Sequence, residues 1–201
     1  EAKYRGRRYY PGKISRDCGE GKYDIAYDDG DRERGVDARL IRKLLLSPLY
    51  IACKNGHVDA ARLLLDKGAE VNRATKGGFT PLYVACENGH VDAARLLLDN
   101  GAEVDRSGDD GATPLWIACQ EGHVDAARLL LDRGADVHRS NSDNDTPLHL
   151  AAWHGHIEVC QLLLDNGATA DLDRNGTPKT WATKAGHSAV VDLLEKYVAD
   201  S

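Results

Sequence analysis

No stretch of this 201-residue chain approaches the roughly 20 consecutive apolar residues that a membrane-spanning helix needs. No basic start followed by an apolar run marks a secretory signal. The chain opens on Glu1 rather than Met, as expected of an excerpt from a longer protein. Cysteines are few and odd in number, five, and Cys53, Cys86 and Cys119 recur at intervals of 33 residues. That rhythm predicts equivalent buried positions rather than disulfide partners, and an intracellular, cytoplasmic or nuclear setting. Neither GxxxxGK[ST] nor GxSxG occurs, so the phosphate cradle and the nucleophile elbow are both missing. Asp171, Asp173, Asn175 and Gly176 begin like a calcium loop, but its twelfth position is Ala182 and Pro178 intrudes. His149, His154, His156 and Cys160 lie close in sequence without the spacing of structural zinc. The sequence predicts no enzyme, no metal and no cofactor.

What is present divides the chain in two. The net charge is −6, yet residues 1–46 hold 12 Lys/Arg against 9 Asp/Glu, and residues 47–201 hold 14 against 23. A small basic piece therefore precedes a larger acidic one, which argues against a uniformly basic nucleic-acid binder. The larger piece is an array. Pro48, Pro81, Pro114 and Pro147 are 33 residues apart, as are His57, His90, His123 and His156. The nonapeptide VDAARLLLD occurs unchanged at 58–66, 91–99 and 124–132, and a shorter fifth unit starts near Pro178. A period of this length is the mark of a stacked repeat architecture.

Each unit reads as helix, turn, helix, tip. Thr80, Thr113, Thr146 and Thr177, with Ser47 in the first unit, sit where a hydroxyl caps a helix, and the Pro that follows suits the first helical position. The first helix is brief, as in Pro81 to Asn88, and stops at Gly89. The second starts near His90 and runs to Gly101, with Val91, Ala94, Leu97 and Leu98 on one face and Asp92, Arg95 and Asp99 on the other. The His after each Gly is expected to bond locally in the inter-helix turn. Cys160 falls in register with Ala61, Ala94 and Ala127 and should share their burial. One unit cannot bury its apolar face alone, so stability belongs to the stack. Lys179 and Glu195 replace leucines of the earlier units, which suits a terminal cap facing water.

TPLYVACENGHVDAARLLLDNGAEVD, and TPLHLAAWHGHIEVCQLLLDNGA at 146–168, resemble the ankyrin repeat. The resemblance covers residues 47–198 in five units, at 47–79, 80–112, 113–145, 146–176 and 177–201. It implies a mainly α-helical solenoid that binds a protein partner through a concave face of turn tips and first helices. Carried onto this sequence, the drifting positions there are Lys54, Asn55, Glu87, Asn88, Gln120, Glu121, Trp153 and His154, with Lys184 and Ala185 in the last unit. At the tips they are Lys76, Phe79, Asp109, Asp110, Ser142, Asp143 and Asp145. The third helical position runs Tyr50, Tyr83, Trp116, His149. Phe79, Trp116 and Trp153 are candidate hot spots, with Phe79 and Trp153 expected to be exposed. The acidic array suggests a partner with a basic surface.

Residues 1–46 lack the period and read as short strands, at 3–4, 9–15, 22–27 and 32–36, with a short helix in ARLIRKLLL leading into the array. AKY…YYPGKISRDCGEGKYDIAYDDG is similar to the Tudor domain, particularly its methyl-lysine-reading members, over residues 1–43. That resemblance implies a small all-β, SH3-like barrel with a cage at Tyr4, Tyr10, Tyr27 and Asp29 for a methylated Lys or Arg peptide. Asp31 stands where such readers usually place another aromatic. Two other readings stay open: a barrel that only caps the array, and a basic nucleic-acid surface around Arg5, Arg7 and Arg8.

Overall fold

A computed structural model describes the backbone of residues 2–5, 8–19, 22–27, 32–37, 48–170 and 176–200, with side chains for 48–170 and 176–199. Strands β1 (Ala2–Arg5), β2 (Arg8–Gly19), β3 (Lys22–Tyr27) and β4 (Arg32–Asp37) pair in sequence order as an antiparallel meander. The long β2 pairs with β1 through its first residues, as in Tyr4 opposite Tyr9, and with β3 through the rest, as in Gly12 opposite Tyr27. The expected barrel closure, the cage side chains, the helix in ARLIRKLLL and the Ser47 cap lie outside the described residues, as does most of the loop around Asp171.

The inner helices are α1 (Pro48–Lys54), α3 (Pro81–Glu87), α5 (Pro114–Gln120), α7 (Pro147–His154) and α9 (Pro178–Ala185). The outer helices are α2 (Val58–Asp66), α4 (Val91–Asp99), α6 (Val124–Asp132), α8 (Ile157–Asp165) and α10 (Ser188–Asp200). The outer helices begin one residue after the repeated His, whose side chain forms no cap bond in the four units where that cap is described. The inner helices start as their Thr-Pro pairs dictate. The Thr80 hydroxyl accepts from the Tyr83 N–H at 3.1 Å, Thr113 from Trp116 at 3.1 Å, and Thr177 from Thr180 at 3.2 Å. These bonds satisfy donors that a helix start leaves open. Thr146 differs, because His149 Nδ1 lies 2.8 Å from its hydroxyl and accepts its backbone N–H at 3.3 Å.

Inner helices pack on inner helices and outer on outer, with each pair closing a layer of leucine. Leu82, Leu115 and Leu148 from the inner helices meet Leu97, Leu130 and Leu163 from the outer ones, all fully buried. The outer helix buries more than a single stripe. Ala93 and Leu96 are covered as well as Ala94 and Leu97, because a helix inside a stack has a neighbour on each side. The first unit shows the contrast. Its Leu63 is 60% exposed where the equivalent Leu96 is 6% exposed, and Ile51 is 49% exposed where Val84 is sealed. At the other end, Lys179 Nζ and Glu195 Oε1 meet at 2.7 Å, so the two polar replacements pair with each other across α9 and α10.

The tips form a second, hydrogen-bonded layer. Each closes as a small hairpin, Thr75 N–H to Phe79 O at 2.9 Å, Gly108 to Ala112 at 3.0 Å and Asn141 to Asp145 at 3.1 Å. One backbone bond then ties each tip to the next, Asp109 N–H to Gly77 O at 3.0 Å and Ser142 N–H to Asp110 O at 2.8 Å. The turn needs a left-handed residue at 78, 111 and 144. Glycine fills the first two, with φ near 81°, and Asn144 the third at φ 66°.

Candidate functional site

The surface expected to bind comprises the ends of the inner helices and the tips beside them. Lys54, Glu87, Gln120, Trp153 and Lys184 occupy one repeat-equivalent row, and the row's side chains differ at almost every step. What holds the row in place was misassigned by sequence reasoning. The repeated histidines bond across units rather than within their own turn. His90 Nε2 reaches Lys54 O at 3.1 Å, His123 reaches Glu87 O at 3.1 Å, and His156 reaches Gln120 O at 2.9 Å. The physical reason is that the last carbonyls of a short helix have no intrahelical donor and need one from outside. Each ring lies over the glycine of the preceding unit, and a Cβ at Gly89 would stand 2.8 Å from His123. The ladder therefore ties down the backbone of Lys54, Glu87 and Gln120, whose side chains belong to the row.

The third helical position faces the tips and is more buried than an interaction surface requires. Tyr83 is 6% exposed, Tyr50 and Trp116 are half-buried, and His149 is sealed. Trp116 donates its indole N–H to Asp145 O at 2.9 Å, which fixes it between units. His149 Nε2 lies 2.9 Å from Gly176 O while its Nδ1 serves Thr146, so the histidine suggestive of zinc has structural partners on both nitrogens. Phe79, expected to be exposed, is half-buried. Its ring stands 4.6 Å from that of Tyr83 and presses on Gly77 and Gly108, because glycine tips leave a hollow that a ring fills.

The remaining positions divide by what already engages them. Lys54, Lys76, Asp109, Asp143 and Glu121 are exposed. Asn55 and Asn88 donate their amides to Ile51 O and Val84 O, each at 2.8 Å, capping their own helices. Gln120 donates to Glu121 Oε1 at 2.8 Å, and Asp110 Oδ1 accepts from Ala112 N–H at 3.0 Å. Trp153 is 42% exposed and meets Trp181 edge-on at 5.8 Å, while Trp181 also meets His149 at 5.2 Å. Sequence reasoning missed Trp181, whose signal was a bulky aromatic where the other units carry Ile, Val or Leu. The exposed His154 stacks at 6.0 Å on His156, and partial burial first, then the His156 charge, lowers its pKa.

Electrostatics separate inert groups from available ones. Cys53, Cys86, Cys119 and Cys160 are buried free thiols, and Cys160 shares the full burial of Ala61, Ala94 and Ala127. Burial pushes the Cys53 and Cys160 thiols up to about 12 and raises those of Cys86 and Cys119 as well, so none is a nucleophile near neutrality. Burial likewise raises the Tyr83 hydroxyl, with Asp110, Glu87, Tyr50 and Glu121 adding to the effect. Among the described residues no group of three His, Cys, Asp or Glu converges as metal ligands. No helix among them is long and apolar enough to cross a membrane.

Stacked helix pairs with a constant buried leucine layer and a variable row at the ends of the inner helices define a repeat solenoid. The chain belongs to the ankyrin repeat family. The family model for ankyrin repeats (3 copies) matches residues 34–108, 103–175 and 139–200. Ankyrin repeats generally mediate protein–protein interaction. A comparison with curated proteins finds no match.

Proposed function

We propose that this chain is a non-enzymatic recognition module that binds a protein partner through the concave face of its array. The observation that carries this reading is the exposed Trp153, 42% accessible at the end of an inner helix and braced edge-on by Trp181. An aromatic on a preorganised surface is a favoured anchor, because little side-chain entropy is lost on binding. Glu87, Asp109, Asp110, Glu121 and Asp143, spread along the row and the tips, favour a partner with a basic surface. The contact set is the one expected from the sequence, with Asn55, Asn88 and Phe79 acting mainly through the shape they support.

Selection of a displayed random peptide library on the full chain tests the reading. Selected peptides should lose about 10-fold or more in affinity for Trp153→Ala, as a truncated hot spot does, while the variant keeps its thermal midpoint. Unchanged binding, or a variant that unfolds, removes Trp153 from the contact set.

A second reading has the Tudor-like segment capture a methylated Lys or Arg at Tyr4, Tyr10, Tyr27 and Asp29. It is supported by the resemblance and by the meander of β1 to β4. Methylated and unmethylated peptides offered to the wild type and to Tyr27→Ala test it, and equal binding by both proteins discards the cage.

A further inference from the structure

The turns that follow the outer helices repeat a small ion pair, and the third unit breaks it. After α2, Glu70 Oε2 meets Arg73 at 3.4 Å, and after α4, Glu103 Oε1 meets Arg106 at 3.1 Å. After α6 the same two positions hold Asp136 and Arg139. Asp136 is one methylene shorter than glutamate, and its Oδ1 accepts the His138 N–H at 2.9 Å within its own turn. Among the described residues the Arg139 side chain is left with no ion pair and no hydrogen bond. That guanidinium lines a cavity of about 440 Å3 with Glu103, Asp105, Arg106 and Ser107 of the preceding unit. Both acids there are already engaged. Glu103 holds Arg106, and the Asp105 carboxylate accepts the Asp136 N–H at 3.1 and 3.2 Å. The cavity therefore offers mainly donors: the whole Arg139 fork, the remaining N–H groups of Arg106 and the half-buried Ser107 hydroxyl. The junction before it lacks this set, because Arg106 is paired there and Ala74 stands in place of Ser107.

We propose that this cavity, between the second and third units, receives a phosphorylated side chain of a partner protein. Two arginines and two acids line it, so no excess positive field gathers anions, and selection rests on matching several donors at once. Donors from two separate turns suit a phosphate, which presents three free oxygens, better than a flat carboxylate, which a single guanidinium fork satisfies. The volume lies within the range of small-ligand sites and leaves room for the side chain that bears the phosphate. None of the lining residues belongs to the contact set of the concave face, so the site is a contact beyond that reading.

The test is a titration of the isotopically labelled full chain, followed by amide NMR shifts, with three short blocked peptides. Their sequence is Gly-Ser-X-Ser-Gly, with X as phosphoserine, serine or glutamate. The phosphoserine peptide should shift amides at 103–107 and 136–139. Arg139→Gln should weaken it about 10-fold by removing a charge-assisted hydrogen bond, and Ser107→Ala about 3-fold. Asp136→Glu leaves the net charge unchanged but restores the acid that holds the arginine in the two preceding units. It should weaken the peptide too, by competing for Arg139. These substitutions remove no fully buried side chain, and matching thermal midpoints confirm that the variants fold. Equal binding of the serine or glutamate peptide overturns the assignment. So do shifts centred on Lys54, Lys76 or Lys184, absence of shifts at 103–107, or binding indifferent to Arg139→Gln and Asp136→Glu. Such a failure is distinct from failure of the concave reading, which stands or falls on whether library-selected peptides respond to Trp153→Ala.

Discussion

Leu63 and Leu96 occupy the same place in the identical nonapeptide VDAARLLLD, yet the stack treats them differently. Leu96 is 6% exposed and Leu63 is 60% exposed. Truncating a buried leucine to alanine costs about 2–5 kcal/mol, the transfer term plus the cavity left behind. Leu63 has about two fifths of its surface out of water, so its truncation costs at most about 1 kcal/mol on the scale of 1.5–3 kcal/mol for full burial. Leu96→Ala should therefore destabilise the protein by about 2 kcal/mol more than Leu63→Ala. Local helix propensity cancels between the two, since the flanking residues are the same. Urea denaturation followed by far-UV circular dichroism reads the difference as a shift in midpoint at constant slope. Equal large losses would mean that α2 is as covered as α4. Equal small losses would mean that the outer helices do not interlock, and either result refutes the argument.

Gly111→Ala should cost about 1–3 kcal/mol, because φ is 81° there and a Cβ would stand 2.9 Å from the Ser142 nitrogen. Thermal melts of the variant against the wild type check this loss. The folded thiols ionise well above their ordinary value, whereas the unfolded ones ionise near 9. Between pH 9 and about 12 the native state thus holds more protons than the unfolded state, and stability falls as pH rises. Urea midpoints at pH 8 and pH 10 should show this loss, and Cys53→Ala combined with Cys160→Ala should lessen it without abolishing it, because Cys86 and Cys119 are raised as well.

The repeat, its caps and its breaks were legible because each rests on local chemistry. Thr-Pro pairs start helices, glycine ends them, and a 33-residue step repeats both. The ankyrin architecture followed from that. What escaped was set by neighbours distant in sequence. Ala93 and Leu96 are buried by the adjacent unit, which helical spacing within one nonapeptide does not reveal. The histidines looked local because they follow the turn glycine, but their acceptors are carbonyls 36 residues earlier. Lys179 and Glu195 read as two separate concessions to solvent and are one ion pair. At the candidate site, register identified the row Lys54, Glu87, Gln120, Trp153 and Lys184. It could not tell that Tyr83 is almost fully buried or that Phe79 fills a hollow over two glycines, since both depend on how closely adjacent tips approach.

The central claim concerns which face of the array meets a partner. Hydrogen exchange of backbone amides, with and without a saturating library-selected peptide, tests it most directly. The account predicts protection confined to the tips at 75–79, 108–112 and 141–145 and to the ends of α3, α5 and α7, with the outer helices unchanged. Protection of α4, α6 and α8, with the tips unaffected, would contradict it.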